Sequence, residues 1–312
     1  MEYTDRRNSI IMIVTRAINS PLEFEIPNLI DPLFKITIDT TKAGSASNTF
    51  VLPLQTTSNN FVINWGDGNL ETVTTVTSIS HTYASSGSYQ ISLDGSFSGI
   101  KFNNAGDKLK LSSIDNWGTN QILNLANAFY GCVNMVGTYT DSPDTSLVTN
   151  MSGAFRGCTN LNSPINFNTS NLNNISIMFR DCSNFNSTII FSDTSLVGDM
   201  SRCFLNCNNF NQPINFNTSS VGTMLNMFYG CTNFDQDISS FNISSLTNAG
   251  SMLYLSAFSK TNYDLLLPAW DAYGTSSVVF HAGTAHYSAG APTTAHNAMV
   301  SRGWTITDGG TP

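Results

Sequence analysis

Phe129-Tyr130-Gly131-Cys132 returns as Phe155-Arg156-Gly157-Cys158, Phe179-Arg180-Asp181-Cys182, Phe204-Leu205-Asn206-Cys207 and Phe228-Tyr229-Gly230-Cys231. The phenylalanines lie 26, 24, 25 and 24 residues apart, and a degenerate sixth copy follows 25 residues later with Leu253 for Phe and Ser256 for Cys. Other positions keep the same phase. Three residues after each Cys stands Met135, Leu161, Phe185, Phe210 or Phe234, and the sixth copy keeps Phe258, two residues after Ser256. Ile165, Ile189, Ile214 and Ile238 follow, then Phe167, Phe191, Phe216 and Phe241. A Thr-Ser or Ser-Ser step leads to Leu147, Leu172, Leu196, Val221 and Leu246. Shared composition would not hold phase at so many positions. A period this short leaves no room for two packed helices and suits one turn of a solenoid built from short strands and tight turns. A single coil cannot bury its own apolar residues. Stacking buries them as a column, with Asn, Thr and Ser at the turns. Asn at equivalent places can also form side-chain ladders. Strands about 4.8 Å apart would make six coils roughly 30 Å long.

These residues resemble the BspA-like leucine-rich repeats of bacterial surface proteins. The resemblance rests on Met227-Phe228-Tyr229-Gly230-Cys231-Thr232-Asn233-Phe234-Asp235-Gln236 and on Phe216-Asn217-Thr218-Ser219-Ser220-Val221, with Phe210-Asn211-Gln212 as a further fragment. It covers residues 122–258 and implies a repeat type, not a ligand. The first coil departs from the pattern at Asp141-Ser142-Pro143-Asp144, and the sixth is degenerate. Degenerate ends suit capping coils.

Upstream, Phe34 to Asp39, Thr49–Leu54, Phe61–Asn64, Val73–Val76 and Tyr89–Leu93 alternate as strands. The set Trp65-Gly66-Asp67-Gly68, His81-Thr82-Tyr83 and Gly87-Ser88-Tyr89-Gln90-Ile91 is similar to a PKD domain, an immunoglobulin-like sandwich that commonly acts as a spacer or docking module in surface proteins. Residues 1–30 fit neither pattern and read as an arm or anchor. The expected fold class is therefore mainly β: a short PKD-like β-sandwich over 31–105, a leucine-rich-repeat-type solenoid of about six coils over 106–262, and a small C-terminal cap over 263–312. Within that cap, Ala291–Ser301 reads as a short helix and Trp304–Thr307 as a last strand.

Charge is scarce. Only 11% of the 312 residues are Asp, Glu, Lys or Arg, against 41% hydrophobic, and the formal net charge is −8. Phosphate binding is largely electrostatic, so this balance argues against nucleic acid as a partner. No apolar run approaches the ~20 residues of a membrane-spanning helix, and no membrane insertion is expected. Ile10–Val14 is too short for a signal-peptide core, so no export signal is expected.

Most of the chemically notable residues have a plain packing role. Cys132, Cys158, Cys182, Cys207 and Cys231 share one phase with Phe129, Phe155, Phe179, Phe204 and Phe228, so they read as a buried structural ladder. Cys203-x3-Cys207 lacks neighbouring soft ligands, and no metal or cofactor is expected. His81 and Asp67 read as parts of the turn motif. His281, His286 and His296 gather in the tail near Asp271 and Tyr273, without a Gly-x-Ser-x-Gly or His-Glu-x-x-His signature. No catalytic residue is expected. Tyr130, Arg156, Arg180 and Tyr229 each follow a repeat Phe, and Tyr and Arg are favoured at binding hot spots. They form the expected binding edge.

The combination suggests a non-enzymatic virion surface protein of a bacteriophage, as a capsid decoration, tail fibre component or tail-associated adhesin for host attachment. Its expected partners are other virion proteins through residues 1–30 and a host surface protein or glycan, and a homo-oligomer is allowed. A secreted bacterial or protist adhesin stands second. A glycan-active enzyme, which needs a paired carboxylate arrangement, stands third.

Overall fold

The computed structural model describes residues 31–56, 59–74 and 76–312. The expected arm over 1–30 lies outside the described residues. Strand β1 (Phe34–Asp39) buries Phe34, Ile36 and Ile38 and turns Lys35, Thr37 and Asp39 outward, as a period of two requires. Strands β2 (Thr49–Pro53), β3 (Asn60–Asn64), β4 (Leu70–Thr74), β5 (Ser78–Thr82) and β6 (Ser88–Ser96) follow. Then come β7 (Leu111–Asn116) and the two-residue β8 (Val136–Gly137). One six-stranded sheet runs β4-β3-β6-β1-β7-β8, while β2 and β5 pair alone. All pairs in the larger sheet are antiparallel except β7–β8.

Further along, β9 (Ile165–Phe167) and β10 (Ile189–Phe191) form a parallel pair. Strands β11 (Asn248–Ala249), β12 (Val279–His281) and β13 (Thr305–Thr307) form a parallel three-stranded sheet. Helix α1 (Lys260–Asp271) begins at Ser259, whose side chain accepts from the Asn262 amide. Helix α2 (Ala291–Ser301) begins with a proline in its first turn, where a missing N–H costs nothing. Its bounds match the short helix expected from the sequence, and β13 falls one residue inside the expected last strand Trp304–Thr307.

The expected fold class needs correction. The described residues are mainly β, but they form several small separate sheets rather than a sandwich followed by a regular solenoid with a strand in each coil. The larger sheet runs straight across residue 105 by recruiting β7 and β8. Beyond it, the repeat is made mostly of turns. Successive copies touch through single parallel bridges, Asn150 to Asn174 to Asp199 to Thr223 to Asn248. The physical reason is backbone handedness. Two residues flanking each repeat Phe take positive φ: Asn127, Gly153, Ile177, Arg202, Asn226 and Ser251 before it, and Gly131, Gly157, Asp181, Asn206, Gly230 and Leu255 after it. A left-handed residue interrupts an extended strand.

The copies are nonetheless stacked in phase. Phe129, Phe155, Phe179, Phe204 and Phe228 form a column with successive ring centroids 5.5–5.6 Å apart and planes within 9°. Phe185, Phe210 and Phe234 make a second column at 5.9–6.0 Å. An Asx turn sets each corner: Asp144, Asn168, Asp193, Asn217 and Asn242 accept from the backbone amide two residues on. Buried Thr145, Thr169, Thr194 and Thr218 then donate to the carbonyl of Asn168, Asp193, Asn217 and Asn242 in the next copy. This corner corrects one detail of the sequence reading. Leu147 and Leu196 are 51% and 56% exposed, and Val148 and Val197 fill the core instead. The core position is the fourth residue after the Asx, which gives Val148, Leu172, Val197, Val221 and Leu246.

Candidate functional site

The edge row is built by the same two left-handed residues. Between the inward Phe and the second left-handed residue, one side chain per copy leaves the core; Tyr130, Arg156, Arg180, Leu205 and Tyr229 are half-buried and Tyr254 is exposed. The backbone fixes its register. The amides of Gly131, Gly157, Asp181, Asn206 and Gly230 donate to the carbonyls of Arg156, Arg180, Leu205, Tyr229 and Tyr254, at 2.7–2.9 Å. The row therefore reads Tyr130, Arg156, Arg180, Leu205, Tyr229, Tyr254. The guanidinium of Arg156 lies 4.4 Å from the Tyr130 ring centroid, a cation–π distance. Arg180 pairs with Asp181 at 3.2 Å, and Asn206 donates to the same carboxylate. The Tyr229 and Tyr254 rings are 5.3 Å apart, and Tyr254 meets His281 edge-on at 5.1 Å.

The structure thus brings together Tyr130, Arg156, Arg180 and Tyr229 and adds three residues. Leu205 and Tyr254 were in plain phase. Tyr254 is masked in the sequence because its copy lacks the Phe and Cys. His281 had no sequence signal, since it joins the row only through the parallel pairing of β11 with β12. Burial pushes the His281 imidazole below its ordinary value, with Asp308 opposing. Its Nδ1 accepts from the Gly283 amide at 3.0 Å, a bond that only a ring unprotonated at Nδ1 can make.

The cysteines are buried and free, Cys203 included. Four of the thiols donate to the carbonyl of the repeat Phe in the preceding copy: Cys158 to Phe129, Cys182 to Phe155, Cys207 to Phe179 and Cys231 to Phe204, at 2.9–3.1 Å. Burial pushes the Cys182 thiol up to about 12. These side chains act as protonated packing donors, not nucleophiles.

The upstream motif forms one packed cluster. Trp65 is fully buried, stacks on His81 at 4.9 Å, and accepts through its carbonyl from the Tyr83 hydroxyl at 3.0 Å. Tyr83 stacks on Tyr89 at 3.7 Å. His81 Nε2 meets Asp67 at 2.8 Å. Partial burial pushes the Asp67 carboxyl up, but the bonds from His81 and Asn69 outweigh it and hold the group below its ordinary value. Gly66 runs at φ 82° with its α-carbon against the Gln90 backbone, and Gly68 at φ 93° completes the turn. Gly87 donates to Thr40 Oγ1.

In the tail, His296 meets the buried carboxylate of Asp308 at 3.4 Å, and Tyr263 donates to that carboxylate at 2.6 Å. His296 stacks on Tyr287 at 4.7 Å. Asp271 instead pairs with Arg302. His286 approaches the Gly310 carbonyl at 3.2 Å. The three tail histidines therefore make separate hydrogen bonds, although Asp308 acts on both His281 and His296. Among the described residues, no group of three His, Cys, Asp or Glu is arranged to hold a metal ion, and no helix is long and apolar enough to cross a membrane.

Searches of curated proteins and of solved structures gave no match to this chain. A family profile described as "Mycoplasma protein of unknown function, DUF285" matches it twice, over residues 92–192 and 188–280. The two matches together span more than half of the 312 residues and take in all the repeat copies from Phe129 to Leu253. The chain belongs to the DUF285 family.

Proposed function

We propose that this is a non-enzymatic attachment protein that displays its repeat edge to a surface glycan or protein. The observation that carries the reading is the row Tyr130, Arg156, Arg180, Leu205, Tyr229 and Tyr254, held in register by backbone bonds between copies. A pre-ordered line of Tyr and Arg loses little entropy on binding. The low charge of the chain leaves that line's two arginines prominent on a molecule of net charge −8.

We place the protein on a virion, in the capsid or tail, with residues 1–30 as its attachment to other virion proteins. This rests on the resemblance of the repeats to those of surface proteins. Mass spectrometry of purified particles tests it, because stoichiometric recovery supports the placement and absence overturns it. A bacterial cell-surface adhesin is the second reading, favoured by the family's description as a mycoplasma protein. Surface labelling of intact cells tests that reading separately.

A further inference from the structure

We infer that the row takes an acidic polysaccharide, whose carboxylate or sulfate groups meet a strip of basic side chains along the first four copies. The inference rests on the attachment reading and names the ligand's class. Residues 111–258 hold eight Asp and no Glu, and their only basic residues are Arg156, Arg180 and Arg202. All three lie on this edge. Arg156 and Arg180 occupy the row in the second and third copies. In the fourth copy the row position is Leu205, and the charge moves to Arg202 at the start of the same turn, where its carbonyl accepts from the Leu205 amide at 3.2 Å. Lys108 extends the strip to the first copy. The Asn104 amide donates to the Tyr130 carbonyl at 2.8 Å, one rung before the row. Lys108 Nζ donates to the Asn104 carbonyl at 3.1 Å and to the Asn104 side chain. Its Cδ lies 3.0 Å from the point where a Cβ on Gly131 would stand.

The strip is reachable and poorly neutralised. Lys108, Arg156, Arg180 and Arg202 are all half-buried, and the Arg180 side chain is 32% exposed. Among the described residues, only Arg180 of these four has an ion pair, with Asp181 at 3.2 Å. Other carboxylates of these copies are held in turns. Asp144 and Asp193 form the Asx corners, and Asp199 accepts from the Ser201 amide. Cations gathered without partners on a molecule of net charge −8 make a local anion site, not a general one.

Three features select a glycan among anions. Successive copies advance by 5.5–5.6 Å, comparable with one sugar of an extended polysaccharide. Anionic groups recurring along a regular polymer can therefore meet guanidinium groups recurring along the stack, each a planar fork suited to carboxylate or sulfate. Tyr229 and Tyr254 continue the row beyond the cations, and their amphipathic rings suit the C–H faces and hydroxyls of sugars. Nucleic acid carries a phosphate at every residue, and four cations on an otherwise acidic molecule supply little of the neutralisation it needs. An acidic peptide lacks the pyranose faces that the tyrosines would meet.

Biolayer interferometry of the full chain on immobilised polygalacturonate, dextran sulfate and dextran tests this. The expected result is binding to at least one acidic polymer and not to dextran, weakened at least tenfold between about 50 mM and about 200 mM salt. Arg156→Gln/Arg180→Gln should weaken it at least roughly tenfold, and Arg202→Gln, which removes no ion pair, roughly threefold, both with the native melting temperature. Lys260→Gln removes one charge from helix α1, off the strip, and should leave binding unchanged. Preference for polygalacturonate assigns a carboxylate and preference for dextran sulfate a sulfate; both support the site. The inference is overturned if neither acidic polymer binds above dextran, or if the folded arginine variants bind undiminished. It is also overturned if Lys260→Gln weakens binding as much as Arg202→Gln, or if polyglutamate or single-stranded DNA outcompetes both polysaccharides. Row-dependent capture of a neutral glycan or a protein instead would overturn it and leave the attachment reading standing. A row that captures no glycan or protein at all would defeat both.

Discussion

At Ile177 the backbone takes φ 52°, a conformation that a β-branched side chain strongly resists. The equivalent residue is Asn127 in the first copy, Gly153 in the second and Asn226 in the fifth. The stack imposes the angle, because the Ile177 amide donates to Ser201 of the next copy at 2.9 Å. Replacement Ile177→Asn should raise unfolding stability by about 1 kcal/mol, read as a higher urea midpoint at unchanged slope; a lower midpoint would mean that side-chain packing outweighs the backbone strain. His281 makes the opposite kind of statement. Its imidazole sits below the ordinary value because of burial, so the folded state favours the neutral ring. The associated stability is complete above the unfolded value of about pH 6.5 and is lost as pH falls from there through the lower folded value. Urea midpoints at pH 7.5 and 5.5 should show the decline, and His281→Asn should flatten part of it. Single residues were only partly legible in the sequence. Cysteine burial was readable from phase, whereas the bond of four thiols to a Phe carbonyl in the preceding copy was not, because a main-chain acceptor has no residue identity. Leu147 and Val148 were both plausible core residues, and only the Asx turn at Asp144 decides between them.

At the level of elements, the stacked copies are held by repeated side-chain registers more than by strands. The aromatic column, the thiol bonds and the threonine corners each recur once per copy. Another exposed ladder runs from Asn162 through Asn186 and Asn211 to Asp235, each side chain accepting from the main chain of the next copy. Phe204 sits at the centre of the column, against Phe179, Phe210 and Phe228 at 5.5, 4.4 and 5.6 Å. Phe204→Ala should cost about 3–5 kcal/mol in chemical denaturation, while an exposed control such as Leu147→Ala should change stability little. A cost near zero at Phe204 would mean that the copies are not packed through this column. The period and the inward phases were legible because they are written as residue identities. The absence of a strand in each copy was not, because left-handed positions are occupied by Ile, Arg, Asp and Leu as well as by Gly and Asn. The recruitment of β7 and β8 into the upstream sheet was also hidden, since long-range pairing leaves no local pattern.

Across the whole molecule, residues Pro32–Pro312 form one compact unit. A buried ionic knot ties the loop before β2 to the turn before β7. Lys110 is fully buried and donates to the carbonyls of Ser45, Ala46 and Thr49 at 2.6–3.1 Å. Asp107 lies 3.8 Å away and accepts from Ser45 and Val51 at 2.6–2.7 Å. Lys110→Met leaves that carboxylate buried without its countercharge and should cost about 3–5 kcal/mol, with calorimetry as the check; a melting temperature like that of the native chain would show that the knot contributes nothing net.

The claim that this molecule attaches rather than catalyses is tested most directly by a glycan and surface-protein array. The array would be probed with the intact chain and with Arg156→Ala/Tyr229→Ala, and bound glycans would be sized afterwards by mass spectrometry. The account predicts retention of a defined subset by the native chain, loss of that subset in a folded row variant, and glycans of unchanged length. Equal retention by both proteins, or glycans shortened by the native chain, would contradict it.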